Sequence, residues 1–226
     1  MQRDWELYWS TAAGGEKDLR CQVGRTLAGE PTPEEELGLL VEQARSLLGV
    51  GRHHLDLCSG NGLMTDKLHL ADRVVGLDYS HALVEIAKEN FQKLEFIVGS
   101  IFDLGDLLIG LEPFDRITML ESLQYFTPED LQIWLPVLLG YCTEDVKILF
   151  QGVPDYELYG EFANTPERRC NMEEKRLTEG DPVGYWWKRD KLKEIVVSCG
   201  LLVSFRHPNP RLNTSHYRFD VLMERN

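Results

Sequence analysis

Cysteine is scarce in this sequence of 226 residues, and the few cysteines are spread along its whole length. Their number is odd, and they form neither a C-x-x-C pair nor a Cys/His cluster with zinc spacing. The pattern argues against a disulfide framework, predicts no bound metal and favours the reducing cytoplasm. The five are Cys21, Cys58, Cys142, Cys170 and Cys199.

Long apolar segments are also missing. No window approaches the roughly 18 apolar residues that a membrane-spanning helix needs. The first ten residues mix polar and aromatic side chains, whereas a leader has a basic start and an apolar run, so we predict no signal peptide. We therefore expect no membrane partner.

Positive charge is in short supply, because 24 Lys and Arg stand against 37 Asp and Glu, a formal net charge of -13. Most of such a surface would repel a phosphate backbone or an anionic membrane. We therefore predict that nucleic acid is not a partner. Solubility alone also explains many acidic residues.

The alternation of apolar runs and helical patterns predicts one α/β domain over residues 1–226, with a mostly parallel sheet covered by helices on both faces. Thr32-Pro33-Glu34-Glu35 predicts a capping box with Pro33 at the first helical position, and Thr127 is predicted to cap a later helix. Further helices are predicted near 80–91 and 189–199. Strands are predicted near 53–58, 73–77, 94–98, 114–119, 146–150, 201–206 and 216–224.

The most informative segment is residues 53–62. Two buried strands deliver the acidic residues Asp56 and Asp78 at their carboxyl ends, 22 positions apart, which is the span of one strand-helix-strand unit. Between them Gly60 and Gly62 open a helix, where a backbone without side chains touches a ligand and amide groups face an anion. The pattern indicates a cofactor pocket.

These residues resemble the motifs of the class I S-adenosylmethionine-dependent methyltransferases, and the resemblance runs from about residue 55 to 150. It implies a Rossmann-like, doubly wound sheet of seven strands whose last strand is antiparallel. It also implies S-adenosylmethionine (SAM) as cofactor and S-adenosylhomocysteine (SAH) as product. Residues 51–150 would then be the cofactor-binding core.

The resemblance assigns cofactor contacts residue by residue. In the family, the acid of the first strand and the glycine loop hold the methionine part, which implies this role for Asp56, Gly60 and Gly62. Cys58 replaces the first glycine of the family's loop. Asp78 matches the acid that pairs with the ribose hydroxyls.

Further implied cofactor contacts follow in the chain. Ser100 stands where the family has an aspartate that accepts from the adenine amino group, and a hydroxyl can accept the same bond. Ile101 and Phe102 are the implied neighbours of the adenine ring. Tyr79, directly after the ribose acid, and Leu120, at the end of the fourth strand, complete the implied set.

A nicotinamide dinucleotide site is the nearest alternative that uses the same physics. It needs G-x-G-x-x-G/A and a ribose-binding acid about twenty residues further on. Thr65 occupies the position of the third glycine, and Asp56 has no role in that scheme. A cofactor without a pyrophosphate explains the loop better.

Residues 1–50 are predicted to form a helical cap over the cofactor. We expect Tyr8 and Arg25 to close over the methionine end, with the planar guanidinium of Arg25 pairing with its carboxylate. An ordinary solvated arginine is the alternative.

Residues 151–187 read as a long insertion at the edge of the sheet where ligands bind. We expect it to be a lid whose Tyr156, Tyr185 and Trp186 face the acceptor, although these rings could equally pack the loop onto the domain. Residues 188–226 are predicted to be a helix and a strand pair, with His216 as a further acceptor contact.

The predicted function is methyl transfer from SAM to oxygen or nitrogen of a small molecule, such as a natural product, a sugar or another metabolite. Glu121 and Tyr125, just beyond the fourth strand, are the predicted catalytic residues, with Glu121 as a base or as the partner of an amine. We expect a monomer or homodimer. A catalytically silent SAM-binding subunit and a protein or peptide methyltransferase are the alternatives.

Overall fold

The computed structural model describes residues 5–13, 18–27, 29–178 and 180–225. The strands are β1 (Thr26–Leu27), β2 (Glu30–Pro31), β3 (Gly51–Leu57), β4 (Ala71–Asp78), β5 (Glu95–Val98), β6 (Phe114–Leu120), β7 (Cys142–Pro154), β8 (Leu201–Arg206) and β9 (Arg218–Arg225). The α-helices are α1 (Trp5–Ala13), α2 (Leu19–Gln22), α3 (Glu34–Leu48), α4 (Leu63–Leu68), α5 (His81–Asn90), α6 (Leu104–Leu107), α7 (Pro128–Leu139), α8 (Tyr159–Phe162), α9 (Pro166–Thr178) and α10 (Arg189–Ser198).

Seven strands form one mixed sheet in the order β5-β4-β3-β6-β7-β9-β8. The first five in this order are parallel, and β9 lies antiparallel between β7 and β8. The predicted seven-stranded, mostly parallel sheet with an antiparallel last strand is therefore confirmed. The strand order reverses between β3 and β6, so β3, β4 and β6 end next to one another at the edge where ligands of such sheets bind.

Alternate residues of the strands serve two helical layers. On one face, the apolar cluster that includes residues of α6, α7 and α10 fully buries Trp134, Phe150 and Phe219. On the opposite face, α3 and α4 pack against Leu149 of β7 and Leu222 of β9. Adjacent positions 149 and 150 thus face different layers, as the period of a strand requires. No helix within the described ranges is long and apolar enough to cross a membrane.

The helix predicted to be capped by Thr32 starts later than expected. Pro33 is its N-cap and offers no side-chain hydrogen bond, while the Thr32 amide donates to the carbonyl of Arg25. The capping box at Thr32 was therefore wrong, because this residue takes part in the turn after β2. The cap at Thr127 is confirmed, since its hydroxyl accepts from the Asp130 amide and the Asp130 carboxylate accepts from the Thr127 amide.

The segment after residue 150 contains more regular structure than the sequence indicated. Strand β7 continues to Pro154, and two helices, α8 and α9, follow where a long loop was expected. Met172 is the one buried residue of α9, so this helix has no apolar stripe from which it could be predicted. The predicted helix near 189–199 and the two closing strands are present.

Candidate active site

A cavity of about 490 Å³ lies at the carboxyl ends of β3, β4 and β6. The two predicted carboxylates, Asp56 and Asp78, both line it, together with Gly60 of the loop between them. Such a concave site at the point where the strand order reverses is the usual place of a ligand in an open α/β sheet. The following residues that the sequence singled out also line it: Arg25, Cys58, Tyr79, Ser100, Ile101, Phe102, Leu120, Glu121 and Tyr125.

Asp56 is held by a buried polar chain that crosses from β3 to β6. Its two oxygens accept from the hydroxyls of Thr65 and Thr118, each at 2.6 Å, and Nε2 of His54 lies 2.7 Å from the Thr118 oxygen. Because Thr118 donates its one proton to Asp56, His54 must donate to Thr118. Burial raises the pKa of Asp56 to about 6 and lowers the pKa of His54 to about 3. His54 is thus neutral, and Asp56 has a fixed orientation.

Asp78 is buried at the end of β4 and links this strand to the loop. Its Oδ2 accepts from the Gly60 amide at 2.8 Å, and its Oδ1 accepts from the Ser80 amide at 2.9 Å. Burial raises the pKa of this carboxyl above its ordinary value. Each carboxylate oxygen can accept a second hydrogen bond, so Asp78 still has capacity for ligand hydroxyls.

The loop after β3 needs left-handed backbone at three positions. Cys58, Gly60 and Gly62 have φ angles of 57°, 56° and 78°. A Cβ at Gly62 would lie 2.7 Å from Cζ of Phe96, so a side chain is excluded there by packing as well as by φ. Cys58 therefore adopts a conformation that suits the glycine of the family it resembles. Burial raises the pKa of its thiol well above the ordinary value, so the thiol is protonated at neutral pH.

The positions predicted to contact adenine lie after β5. Ile101 is buried, Phe102 is half exposed, and the Ser100 hydroxyl accepts from the Phe102 amide at 3.3 Å. Phe102 also packs edge-on against Phe126, with ring centroids 6.2 Å apart. This wall of the cavity is apolar apart from the Ser100 hydroxyl.

Arg25 and Glu121 form an ion pair on the opposite wall. Nη1 of Arg25 lies 2.7 Å from a carboxylate oxygen of Glu121, and the Arg25 side chain is 11% exposed. Burial alone would raise the pKa of Glu121, but the charges of Arg25 and Arg218 hold it below its ordinary value. Glu121 is therefore ionised at neutral pH. It has a φ of 50°, and a Cβ at Gly152 would meet its side chain at 2.7 Å.

Three aromatic rings cover the cavity near this ion pair. The ring of Tyr125 lies 4.6 Å from that of Trp5 and 6.0 Å from that of Trp9, and the Tyr79 hydroxyl donates to the carbonyl of Trp5. Tyr8 packs edge-on against both tryptophans and does not line the cavity. Burial raises the pKa of Tyr125, so its phenol is neutral.

A second cavity, of about 250 Å³, lies on the other side of this wall. It shares five residues with the larger cavity: Trp9, Val23, Arg25, Glu121 and Tyr125. Its remaining lining includes residues 212–214 and 217–218, which lead into β9. The two cavities are thus neighbours separated by an ion pair and aromatic rings.

The residues predicted to contact the acceptor lie outside the lining of both cavities. Trp186 packs against Tyr217, the Tyr185 ring lies 5.2 Å from that of Trp187, and the Tyr156 ring carries the Lys188 ammonium at 4.7 Å. His216 is exposed, and its ring packs edge-on against Tyr217, which does line the second cavity. A role of Tyr156, Tyr185, Trp186 and His216 in acceptor binding stays a prediction.

Several residues of the site were missed at the level of sequence. Four residues were not singled out for the site: Trp5, Trp9, Thr118 and Arg218. A strand threonine carries no sequence signal for pairing with Asp56, which lies 62 positions away. The charged Arg218 next to the apolar residues of β9 was the available clue. Among the described residues, no cluster of three or more His, Cys, Asp or Glu could hold a metal ion.

Comparison with known proteins agrees with the predicted motifs. Residues 55–139 match the sequence model of a family described as a methyltransferase domain. No curated protein matches the chain in sequence. The matched residues span the loop, β4, β5, β6 and all of α7, and thus most of the larger cavity.

Solved structures share the whole fold at low sequence identity. DhpI in complex with SAH has a TM-score of 0.65 and 18% identity, over 97% of this chain and 94% of that chain. Magnesium protoporphyrin IX methyltransferase from Synechocystis PCC 6803, with bound SAH, has a TM-score of 0.62 and 15% identity, over 96% of this chain and 93% of that chain. A SAM-dependent methyltransferase from Clostridium acetobutylicum ATCC 824 has a TM-score of 0.60 and 14% identity, over 85% of this chain and 92% of that chain.

Proposed function

We propose that this chain, which has the fold and the sequence motifs of class I SAM-dependent methyltransferases, transfers the methyl group of SAM to oxygen or nitrogen of a small molecule. One observation carries the proposal. Asp56, Asp78 and Gly60 meet in the wall of a single cavity at the carboxyl edge of the sheet. The neighbours that were solved with SAH or SAM support this choice of cofactor.

The residues of the larger cavity fit the nucleoside part of SAM. Asp78 keeps lone pairs for ribose hydroxyls after accepting two backbone amides. Ile101 and Phe102 offer apolar surface to the adenine ring, with the Ser100 hydroxyl beside them. The buried hydroxyl of Ser59 lines the same cavity and has no hydrogen-bond partner in the described part of the chain. A polar ligand would satisfy it.

The opposite wall fits the amino acid part. Arg25 uses Nη1 for Glu121 and has further N–H donors in a planar fork, which matches a carboxylate. Asp56 and Glu121 provide the negative charge that an ammonium group requires. In this assignment Arg25 holds the carboxylate of the methionine part, as the sequence predicted.

Methyl transfer requires the protein mainly to align the acceptor with the methyl group of SAM and to exclude water from the site. When bound, SAM supplies a methyl group on a positively charged sulfur, and this charge disappears on transfer. Trp5, Trp9 and Tyr125 exclude water from the wall at which the acceptor would approach. Glu121 is ionised, so it accepts a hydrogen bond from an acceptor hydroxyl or ammonium and receives its proton.

The size of the second cavity supports a small acceptor. At about 250 Å³ it lies near the lower limit of ligand pockets, and it adjoins Glu121 and Tyr125. A metabolite fits such a space, whereas a folded protein surface does not. We therefore place the acceptor in this second cavity.

Calorimetry with SAH tests the proposed cofactor. Asp78→Ala removes the ribose acid at the end of β4 and is expected to weaken SAH binding about 10- to 100-fold, since hydrogen bonds to a charged group are lost. Asp72→Ala is the matched control, because Asp72 is exposed near the start of the same strand. Absence of binding heat in the wild-type protein rejects the function.

Turnover separates the enzyme from a silent binding subunit. Purified protein is incubated with methyl-labelled SAM and a metabolite extract, and label is followed into small molecules. We expect labelled product with wild-type protein and a loss of about tenfold or more in Glu121→Gln. SAH binding without any labelled product would instead favour the binding subunit.

A further inference from the structure

Arg218 is a buried cation in the wall of the second cavity. It is 7% exposed at the start of β9, and its charge lies next to the aromatic ring of Tyr217, 5.1 Å from the ring centroid. Nη1 donates to the side-chain oxygen of Gln124 at 2.8 Å and to the carbonyl of Gly152. Both of these acceptors are neutral. Nε has no hydrogen-bond partner among the described residues.

The carboxylates nearby are already engaged. Glu121 pairs with Arg25, while Asp220 accepts from the Gly152 amide at 2.8 Å and from the Gln43 side chain at 2.7 Å. An ion pair requires a nitrogen–oxygen distance of 4.0 Å or less, and no carboxylate of the described residues comes this close to Arg218. Arg218 thus faces the cavity with a charge that the chain itself compensates only at a distance.

Such an arrangement is costly unless something else uses the charge. A buried cation is stabilised by an anion in direct contact, and an unused N–H donor adds a desolvation cost. A guanidinium matches the oxygens of a carboxylate or phosphate group better than any other side chain. The side-chain amide of Asn213 and the hydroxyl of Thr214 suit the same kind of group, and both residues line the same cavity. The backbone amide of Asn213 donates to Glu36, another residue of the lining, at 2.8 Å.

We infer that the second cavity recognises an acceptor substrate bearing an oxyanion, a carboxylate or a phosphate-type group, which pairs with Arg218. The inference rests on the proposed function in that it identifies the cavity with the acceptor site. The charge of the group is the property that the cavity selects. The methylated atom lies toward Glu121 and Tyr125, at the wall shared with the larger cavity.

The test uses full-length protein, with and without saturating SAH, and inorganic phosphate or acetate as the probe. Both probes are titrated by calorimetry in a non-anionic buffer, against sodium chloride of equal ionic strength. We expect binding of phosphate, acetate or both to the wild type, and binding about tenfold or more weaker in Arg218→Gln. The stronger probe tells a phosphate-type from a carboxylate acceptor.

Lys193→Gln is the matched control, because it also removes one positive charge but lies on the exposed side of α10. Its phosphate and acetate binding should equal that of the wild type. Equal weakening in both variants would mean a general charge effect and would overturn the inference. Heat of SAH binding is measured separately, so its absence rejects the proposed function without deciding the role of Arg218.

Nuclear magnetic resonance keeps the test valid if Arg218→Gln does not fold. The Nε–H signal of Arg218 in wild-type protein, assigned with Arg218→Lys, should move with phosphate or acetate at the same midpoint as the calorimetric curve. A signal that stays still through both titrations, or movement confined to Arg25, overturns the inference.

Discussion

Cys58 is the residue at which this loop departs most clearly from the family it resembles. Its φ of 57° lies in the left-handed region, where glycine is strain-free and other residues are destabilised by about 1 kcal/mol or more. Its thiol packs against the main apolar cluster, which offsets part of this strain. The loop geometry therefore survives without the first glycine.

This balance predicts a ranking of variants at position 58. Cys58→Gly relieves the strain but loses a packed side chain, so its free energy of unfolding should stay within about 1 kcal/mol of the wild type. Cys58→Val places a β-branched side chain at positive φ and should lose about 2 kcal/mol or more. Urea unfolding measures both, and equal stability of the two variants would contradict the argument.

Asp220 predicts a pH dependence of stability. Burial raises its pKa from 3.8 to about 6, so the folded protein binds this proton more tightly than the unfolded chain does. The stability from this group is complete below about pH 4 and is lost as the pH rises through 6. The wild type should therefore lose on the order of 1–3 kcal/mol over this range relative to Asp220→Asn.

Urea unfolding of both proteins between pH 4 and 7 provides the measurement. A constant offset between them reflects lost hydrogen bonds to Gly152 and Gln43, so only a change of the difference with pH matters. Asp56, whose pKa is also raised to about 6, contributes alike to both proteins. Parallel pH curves would contradict the prediction.

Single residues of the site were predictable where local sequence determines their position. Asp78 follows the apolar run 74–77 and Asp56 stands one residue before the end of β3, and the carboxyl end of a strand in a parallel sheet lies at the edge where ligands bind. The partners of Asp56 could not be read in this way. Thr118 reaches it only because β3 and β6 pair in register, which brings together residues that are 62 positions apart.

At the scale of elements, α1 covers the larger cavity through one face. Trp5 stacks near Tyr125, and its carbonyl accepts from the Tyr79 hydroxyl at the end of β4. The helix therefore contributes to the cavity while remaining outside the main apolar cluster. Its contribution should be visible in ligand affinity more than in stability.

Trp5→Ala tests this division. We expect SAH affinity to fall about 5- to 30-fold, because an aromatic contact worth about 1–2 kcal/mol is lost, with little change in melting temperature. Leu7→Ala is the matched control in the same helix, since Leu7 is 64% exposed. A large loss of thermal stability with unchanged affinity would mean that α1 is a structural element only.

Elements were predicted well where their period is clean. The strands of the sheet and α5, α7 and α10 have buried faces that the sequence pattern indicates, and all are present. Helix α9 escaped prediction because it is strongly polar and Met172 is its one buried residue, so few apolar side chains mark a buried face. The start of α3 was misjudged because tertiary contact of Thr32 with Arg25 overrode a local capping signal.

At the scale of the whole molecule, a formal charge of -13 acts on stability through self-repulsion. Ion pairs such as Arg73–Glu95, with nitrogen and oxygen 2.9 Å apart, are exposed and contribute little to stability. Their screening by salt therefore changes the free energy of unfolding only slightly. Screening of the net charge should dominate. Raising sodium chloride from about 0.02 to 0.2 M is expected to raise the melting temperature by about 2–5 °C in calorimetric scans. A falling melting temperature would show that attractive pairs outweigh the repulsion.

The ion pair between Arg25 and Glu121 lines both cavities, so it can couple the binding of ligands in them. A ligand that displaces Arg25 leaves the Glu121 carboxylate uncompensated at the wall of the second cavity, which lowers the affinity of that cavity for an anion. Thermodynamic linkage then requires reciprocity, because each occupant changes the affinity for the other by the same factor. We therefore expect the shared ion pair to couple ligand binding in the two cavities.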